Sequence, residues 1–173
     1  MSVRDAISSI VFYAGVILVC LLIVRLGTTY GYEKVHLRFT VMEPRLPRNH
    51  YVWVNKRDRS LDRLAYGDII AYRRPLWKRA EYAYEFARIV GLPGDMVEME
   101  ACRLYRRERI EGRLSPRQMV AEPYIDPRHR PDDFSPFVVP RNTVLVMYDN
   151  RRKREPLRNL LVPFRSIYGR VLR

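Results

Sequence analysis

The 173-residue sequence predicts a mainly β fold: a curled β-sheet body with a small inserted lobe, preceded by one N-terminal transmembrane helix. Three observations predict it. An uncharged apolar run opens the chain. Short β-type runs then recur between turn residues, and no segment of the body shows a sustained helical period.

Residues 6–24 carry no charge and only two strongly polar side chains, Ser8 and Ser9. At a rise of about 1.5 Å per residue they span about 28 Å, close to the hydrocarbon thickness of a bilayer. A cleaved signal peptide would have a shorter apolar core and a small-x-small cleavage site. This run instead continues through Val19, Cys20, Leu21, Leu22, Ile23 and Val24 to Arg25. The expected organisation is a tail over 1–5, an anchor over 6–25, a polar and aromatic connector over 26–38, and a β domain over 39–173.

In the body, Tyr51-Val52-Trp53-Val54, Asp68-Ile69-Ile70-Ala71-Tyr72, residues 86–90, Met96-Val97-Glu98-Met99 and Val144-Leu145-Val146-Met147 read as strands. Tyr66-Gly67-Asp68, Leu92-Pro93-Gly94-Asp95 and Pro140-Arg141-Asn142 are the turns between them. From about 102 to 137 charge and proline dominate, including Pro123, Pro127, Pro131 and Pro136, which reads as an insert between core strands.

Net charge is +13 with a sequence pI near 10.2. For a tethered domain, contact with anionic lipid headgroups is a simpler reading of that charge than nucleic acid. Cys20 and Cys102 are too isolated for a disulfide framework or a metal site, and nothing calls for a cofactor. Pro75-Leu76-Trp77-Lys78-Arg79 with Tyr82, Tyr84 and Phe86 fits a membrane interface or a plain hairpin. Arg151-Arg152-Lys153-Arg154 reads as a solvated loop or an acidic-partner contact. His36, His50 and His129 read as surface or connector residues.

Four stretches in order carry a resemblance: Met42-Glu43-Pro44 with Tyr51 to Lys56 behind it; Tyr66-Gly67-Asp68-Ile69-Ile70; Arg88-Ile89-Val90-Gly91-Leu92-Pro93-Gly94-Asp95; and Tyr148-Asp149-Asn150-Arg151 leading to Arg158. Together with the anchor they resemble type I signal peptidases, the leader peptidases that cut signal peptides as membrane-bound Ser/Lys endopeptidases. The resemblance implies a serine nucleophile just before the Met-x-Pro and a buried neutral lysine base just before the Arg-x-Val-Gly-Leu-Pro-Gly-Asp box. It also implies a small hydroxyl residue for the oxyanion and a lysine-orienting serine in the last box.

Those positions fall on Val41, Ala87, Phe39 and Arg154. Valine has no atom to attack a carbonyl, and alanine accepts no proton. Where the family has Gly-Asp-Asn, the chain has Tyr148-Asp149-Asn150; its later Asp-Ser-Arg reads Pro156-Leu157-Arg158, and the Gly-Asp after the nucleophile box reads Asn49-His50. Thr40 neighbours Val41 but belongs to the opposite strand face, and Met42 to Pro44 fix that register. Lys56 and Lys78 are the lysines a displaced pair could draw on.

The resemblance therefore implies a signal-peptidase-like, single-pass membrane protein without the catalytic pair. Its N-terminus is expected in the cytoplasm and its body outside, although the positive charges behind the anchor vote the other way. The expected role is a pseudo-peptidase that binds signal peptides, preproteins or an active paralogue along a groove at Phe39, Thr40, Met42, Pro44, Phe86 and Arg88, with Asp149, Asn150 and Arg158 from the last box. An active enzyme with a displaced nucleophile, and a basic membrane-surface or nucleic-acid module, are the alternatives.

Overall fold

The apolar run folds as α1, Val3–Tyr30, whose segment Ile7–Gly27 has a mean hydropathy of 2.8 and buries none of its surface against the body. Those 21 residues reach about 32 Å, enough to cross a bilayer. The structure, a computed structural model, describes residues 3–37, 42–75, 82–125, 132–152 and 155–172. Phe39, Thr40, Val41, Trp77, Lys78, His129 and Arg154 lie outside the described residues.

Within the expected connector, residues 26–30 belong to α1 and Tyr32–His36 to a strand. The helix continues to Tyr30 because residues 26–30 contain no proline, and β1, Tyr32–His36, follows after Gly31 alone. The Gly31 carbonyl accepts from the Lys56 amide at 2.8 Å, which ties the helix exit to β2, Tyr51–Asn55.

The remaining strands are β3 (Ile69–Pro75), β4 (Tyr82–Gly91), β5 (Met96–Glu100), β6 (Arg103–Arg107), β7 (Arg109–Ile110), β8 (Arg113–Leu114), β9 (Gln118–Met119), β10 (Phe134–Val138), β11 (Thr143–Met147), β12 (Leu161–Pro163) and β13 (Ile167–Val171). A short helix, α2 (Leu157–Leu160), precedes β12. The main sheet has the order β1-β2-β13-β3-β4-β11-β12, antiparallel at each pairing.

Its outer strands alternate. Val35, Val52 and Val54 point into the core while Tyr32, Tyr51 and Trp53 stay exposed, as period-2 patterning requires. The central strands are covered on both faces, so Ile69 to Tyr72, Phe86 to Val90 and Val144 to Met147 are buried without interruption.

β13 is the strand that apolar runs alone do not mark, and a glycine lets it close on β2. A Cβ on Gly169 would lie 2.3 Å from the Asn55 carbonyl oxygen and 2.8 Å from Val54 Cγ1. Gly169→Ala should therefore cost ~1–3 kcal/mol by overpacking against backbone that cannot yield. Urea unfolding of the full chain in detergent measures it; an unchanged midpoint would contradict the close approach.

The expected insert is a second sheet, β10-β5-β6-β9, with β7 and β8 as a small hairpin beside it. It begins at Met96, earlier than the loosened composition suggests. Ala101 and Cys102 turn the β5–β6 hairpin in left-handed conformation (φ 49° and 62°), and their amides donate to the two Asp133 carboxylate oxygens at 3.0 and 2.9 Å. The Pro-Gly turn joins the two sheets. Gly94 sits at φ 89°, and the buried Asp95 accepts from the Leu92 amide at 2.8 Å, the Tyr66 hydroxyl at 2.8 Å and the Arg109 amide at 3.1 Å. Burial, with Asp95 beside it, pushes the Tyr66 phenol well above its ordinary range.

Candidate functional site

β4 carries Phe86, Ala87 and Arg88 through the middle of the main sheet, all buried. Ala87 pairs with Ile70 of β3 and has no exposed surface. On its other side β11 is in register with Met147 opposite Arg88, so the next residue, Tyr148, arrives alongside Ala87. Glu85 shares the Ala87 face of the strand, two residues away.

Tyr148, the residue after β11, reaches Glu85. Its hydroxyl donates to Glu85 Oε2 at 2.8 Å, and Tyr72, the cross-strand partner of Glu85, donates to the same oxygen at 2.9 Å. The two hydroxyls are 3.3 Å apart. Arg74 Nη1 lies 3.3 Å from that carboxylate, and its Nη2 lies 3.4 Å from Glu155, which also accepts from Asn159 at 2.9 Å. Burial is the main cause that pushes both Tyr72 and Tyr148 phenols far above their ordinary range, so both remain protonated donors. The Glu85 carboxylate, two residues from Ala87, is thus occupied by two phenols and a guanidinium.

A second cluster lies on the other side of Ala87. Arg88 Nε donates to Asp149 Oδ1 at 2.8 Å, Nη2 donates to Oδ2, and Nη1 donates to the Gly67 carbonyl at 2.8 Å. Tyr124 lies against the guanidinium, 3.9 Å from its ring centre. Arg151 is buried, not solvated. Its Nη2 donates to Glu122, and its Nη1 contacts the Met147 sulfur at 2.8 Å. A partner carboxylate already inside the fold is what draws this arginine out of the basic loop. Burial pushes the Glu122 carboxyl up and the Arg151 guanidinium down.

Of the other expected site residues, Met42 is fully buried and Pro44 is exposed. Asn150 Oδ1 accepts from the Arg152 amide at 3.1 Å, and Arg158 is exposed on α2. His36 lies against the Tyr51 ring on the exposed side of β1, and His50 contacts the Arg48 carbonyl. Glu85, Tyr72, Tyr124 and Glu122 are the residues sequence reasoning missed. Glu85 could have been found from its two-residue spacing to Ala87; the others depend on pairing across the sheet.

Among the described residues β4 also has an unpaired backbone edge. The Ile89 amide donates to the Asp68 carbonyl, and the Ile89 carbonyl accepts from the Gly67 amide, both at 2.9 Å. Alternation then turns Ala87 and Glu85 toward β3, while Phe86 and Tyr84 present their amides and carbonyls to the opposite side. There β11 ends opposite Arg88, and among the described residues no strand pairs with Phe86 or Tyr84 on that side.

Comparison with known proteins adds the family. The model of the family "Signal peptidase, peptidase S26" matches residues 9–171. Signal peptidase I S of Bacillus subtilis (strain 168) is 34% identical over 128 residues, covering 68% of this chain and 61% of that protein. Signal peptidase I P of Bacillus subtilis subsp. natto is 29% identical over 157 residues, covering 88% of this chain and 80% of its own length. A crystal structure of a signal peptidase I from Enterococcus faecalis aligns over 66% of this chain and 100% of that one, with TM-score 0.47 and 24% identity.

Proposed function

Since the chain belongs to the signal peptidase S26 family, we propose that it is a non-cleaving member that holds an extended peptide along the β4 edge. The observation that carries this reading is the backbone of Tyr84 and Phe86, unpaired on one side among the described residues and lying directly before an Ala87 that has no proton-accepting atom. Strand addition takes affinity from alternate backbone groups and leaves side chains to set preference. Cleavage would need a nucleophile and a base. Val41 offers neither, and Glu85, the nearest carboxylate to Ala87, is already engaged. The peptides in view are signal peptides and preproteins, or a segment of an active paralogue.

The bilayer is the second partner. β1 begins one residue beyond the helix exit, and the exposed faces of β1 and β2 present Tyr32, Lys34, Tyr51 and Trp53, the mixture that membrane interfaces favour. The reading places the N-terminus in the cytoplasm and the body outside.

Photocrosslinking tests the peptide reading. With a benzoylphenylalanine at Tyr84 in the full chain in membranes, a signal-peptide segment is expected to be labelled. N-methylation at alternate residues of that segment should weaken labelling about fivefold for each residue methylated, since each backbone bond contributes ~1 kcal/mol. N-methylation at the intervening residues should have little effect. Labelling of lipid alone would contradict the reading.

A further inference from the structure

We propose that Arg59 and Arg73, held against the Tyr168 ring near the exit of α1, bind the phosphate of an anionic lipid headgroup. The proposal rests on the bilayer reading above and names its lipid class; it does not depend on the peptide reading.

The cluster begins close to the helix end. Glu33 is the third residue after α1, within about 10 Å of it at ~3.3 Å per residue. Alternation puts Glu33 on the Val35 side of β1, opposite Tyr32 and Lys34, and there it accepts from the Tyr168 hydroxyl. The turn after β2 is fastened to the same place. The Lys56 amide donates to the Gly31 carbonyl at 2.8 Å, and Arg59 Nε donates to the Lys56 carbonyl at 2.6 Å.

Tyr168 is buried, with Tyr84 packed beside it at 4.5 Å between ring centres. The Arg73 guanidinium lies 4.9 Å from the Tyr168 ring centre and the Arg59 guanidinium 5.5 Å from it. Two guanidiniums on one ring are thus at most about 10 Å apart, one Debye length at 0.1 M salt. Arg73 Nη2 also donates to the Tyr84 hydroxyl at 3.4 Å. Each arginine is therefore oriented by the fold, and each remains exposed with donors to spare.

Charge balance points to an anion. Arg63 and Arg170 both meet Asp58, at 3.9 and 2.7 Å. Glu33 is taken by the Tyr168 hydroxyl and by Lys56 Nζ at 3.3 Å. Among the described residues, Arg59 and Arg73 meet no carboxylate; their partners are a carbonyl, a hydroxyl and aromatic rings. Two like charges held this close repel. A phosphate between them removes the repulsion, and its oxygens accept from both forks. A choline headgroup would bring a cation against the arginines, whereas a glycerol headgroup brings none.

Native mass spectrometry of the full chain in detergent reads the site. Dioleoylphosphatidylglycerol is expected to be retained at about thirtyfold lower concentration than dioleoylphosphatidylcholine, roughly fivefold for each arginine. Arg59→Gln with Arg73→Gln should abolish that preference. Arg113→Gln with Arg141→Gln removes two exposed arginines elsewhere on the body and should keep it. Glycerophosphoglycerol, the headgroup without its chains, should not displace the lipid. Equal retention of the two lipids overturns the proposal. So does a preference that survives the Arg59 and Arg73 changes, or one lost equally in the Arg113 and Arg141 variant. Displacement by the soluble headgroup overturns the lipid assignment in favour of free phosphate esters. Carbonate extraction tests the bilayer reading by itself: a chain that stays in the membrane without preferring phosphatidylglycerol loses this site and keeps its anchor.

Discussion

Asp149→Ala is expected to destabilise the body by ~3–5 kcal/mol, a large share of the about 5–15 kcal/mol that holds an ordinary domain folded. The reason is the charge left behind. Arg88 is 3% exposed and Asp149 1% exposed, and the carboxylate meets the guanidinium through two parallel bonds. Removing the carboxylate leaves Arg88 with the Gly67 carbonyl and the face of Tyr124. Asp149→Asn keeps one acceptor and should cost less. Arg88→Met with Asp149→Leu removes both charges and should recover most of the loss, since buried pairs often do no better than apolar replacements. Denaturant unfolding of the four proteins in detergent decides it. An Asp149→Ala protein as stable as the unmodified chain would contradict a structural role for the pair.

The second large effect concerns chemistry. Restoring serine at Val41 and lysine at Ala87 is expected to leave the chain inert, and adding Tyr148→Gly is expected to release preprotein cleavage. Nucleophile and base act as a unit, and in a serine peptidase they account for a factor on the order of 10⁶ in kcat. A lysine at 87 would have to enter the space that the Tyr148 ring crosses on its way to Glu85. Truncation at 148 opens that space. Glu85 would then hold the new lysine protonated, because a nearby opposite charge favours the charged form. Glu85→Gln on the triple variant should lower the lysine pKa and move the rise of activity to lower pH. Cleavage by the double variant alone would show that Tyr148 is no obstacle.

Much of this was legible in sequence because it depends on local pattern. The anchor is a run without charge, and the strands at Tyr51–Asn55 and Thr143–Met147 are apolar enough to read directly. The alanine at 87, directly ahead of the Pro-Gly box, is legible in the same way. What stayed hidden depends on residues far apart in the chain. β13 pairs with β2 across more than a hundred residues, and only the close approach at Gly169 explains how. Arg151 reads as one more charge in a basic loop until Glu122 is found beneath it. Tyr148 reads as one more tyrosine ahead of Asp149, and only the fold shows that its hydroxyl meets Glu85 and Tyr72.

The central claim is that this scaffold holds a peptide and does not cut it. The most direct measurement follows both in one reaction: the unmodified full chain, carrying a photocrosslinker at Tyr84, incubated in membranes with a radiolabelled preprotein. The account predicts a crosslinked adduct of full-length preprotein and no shortened product over the time in which an active signal peptidase completes cleavage. A shortened product that depends on the chain would contradict it.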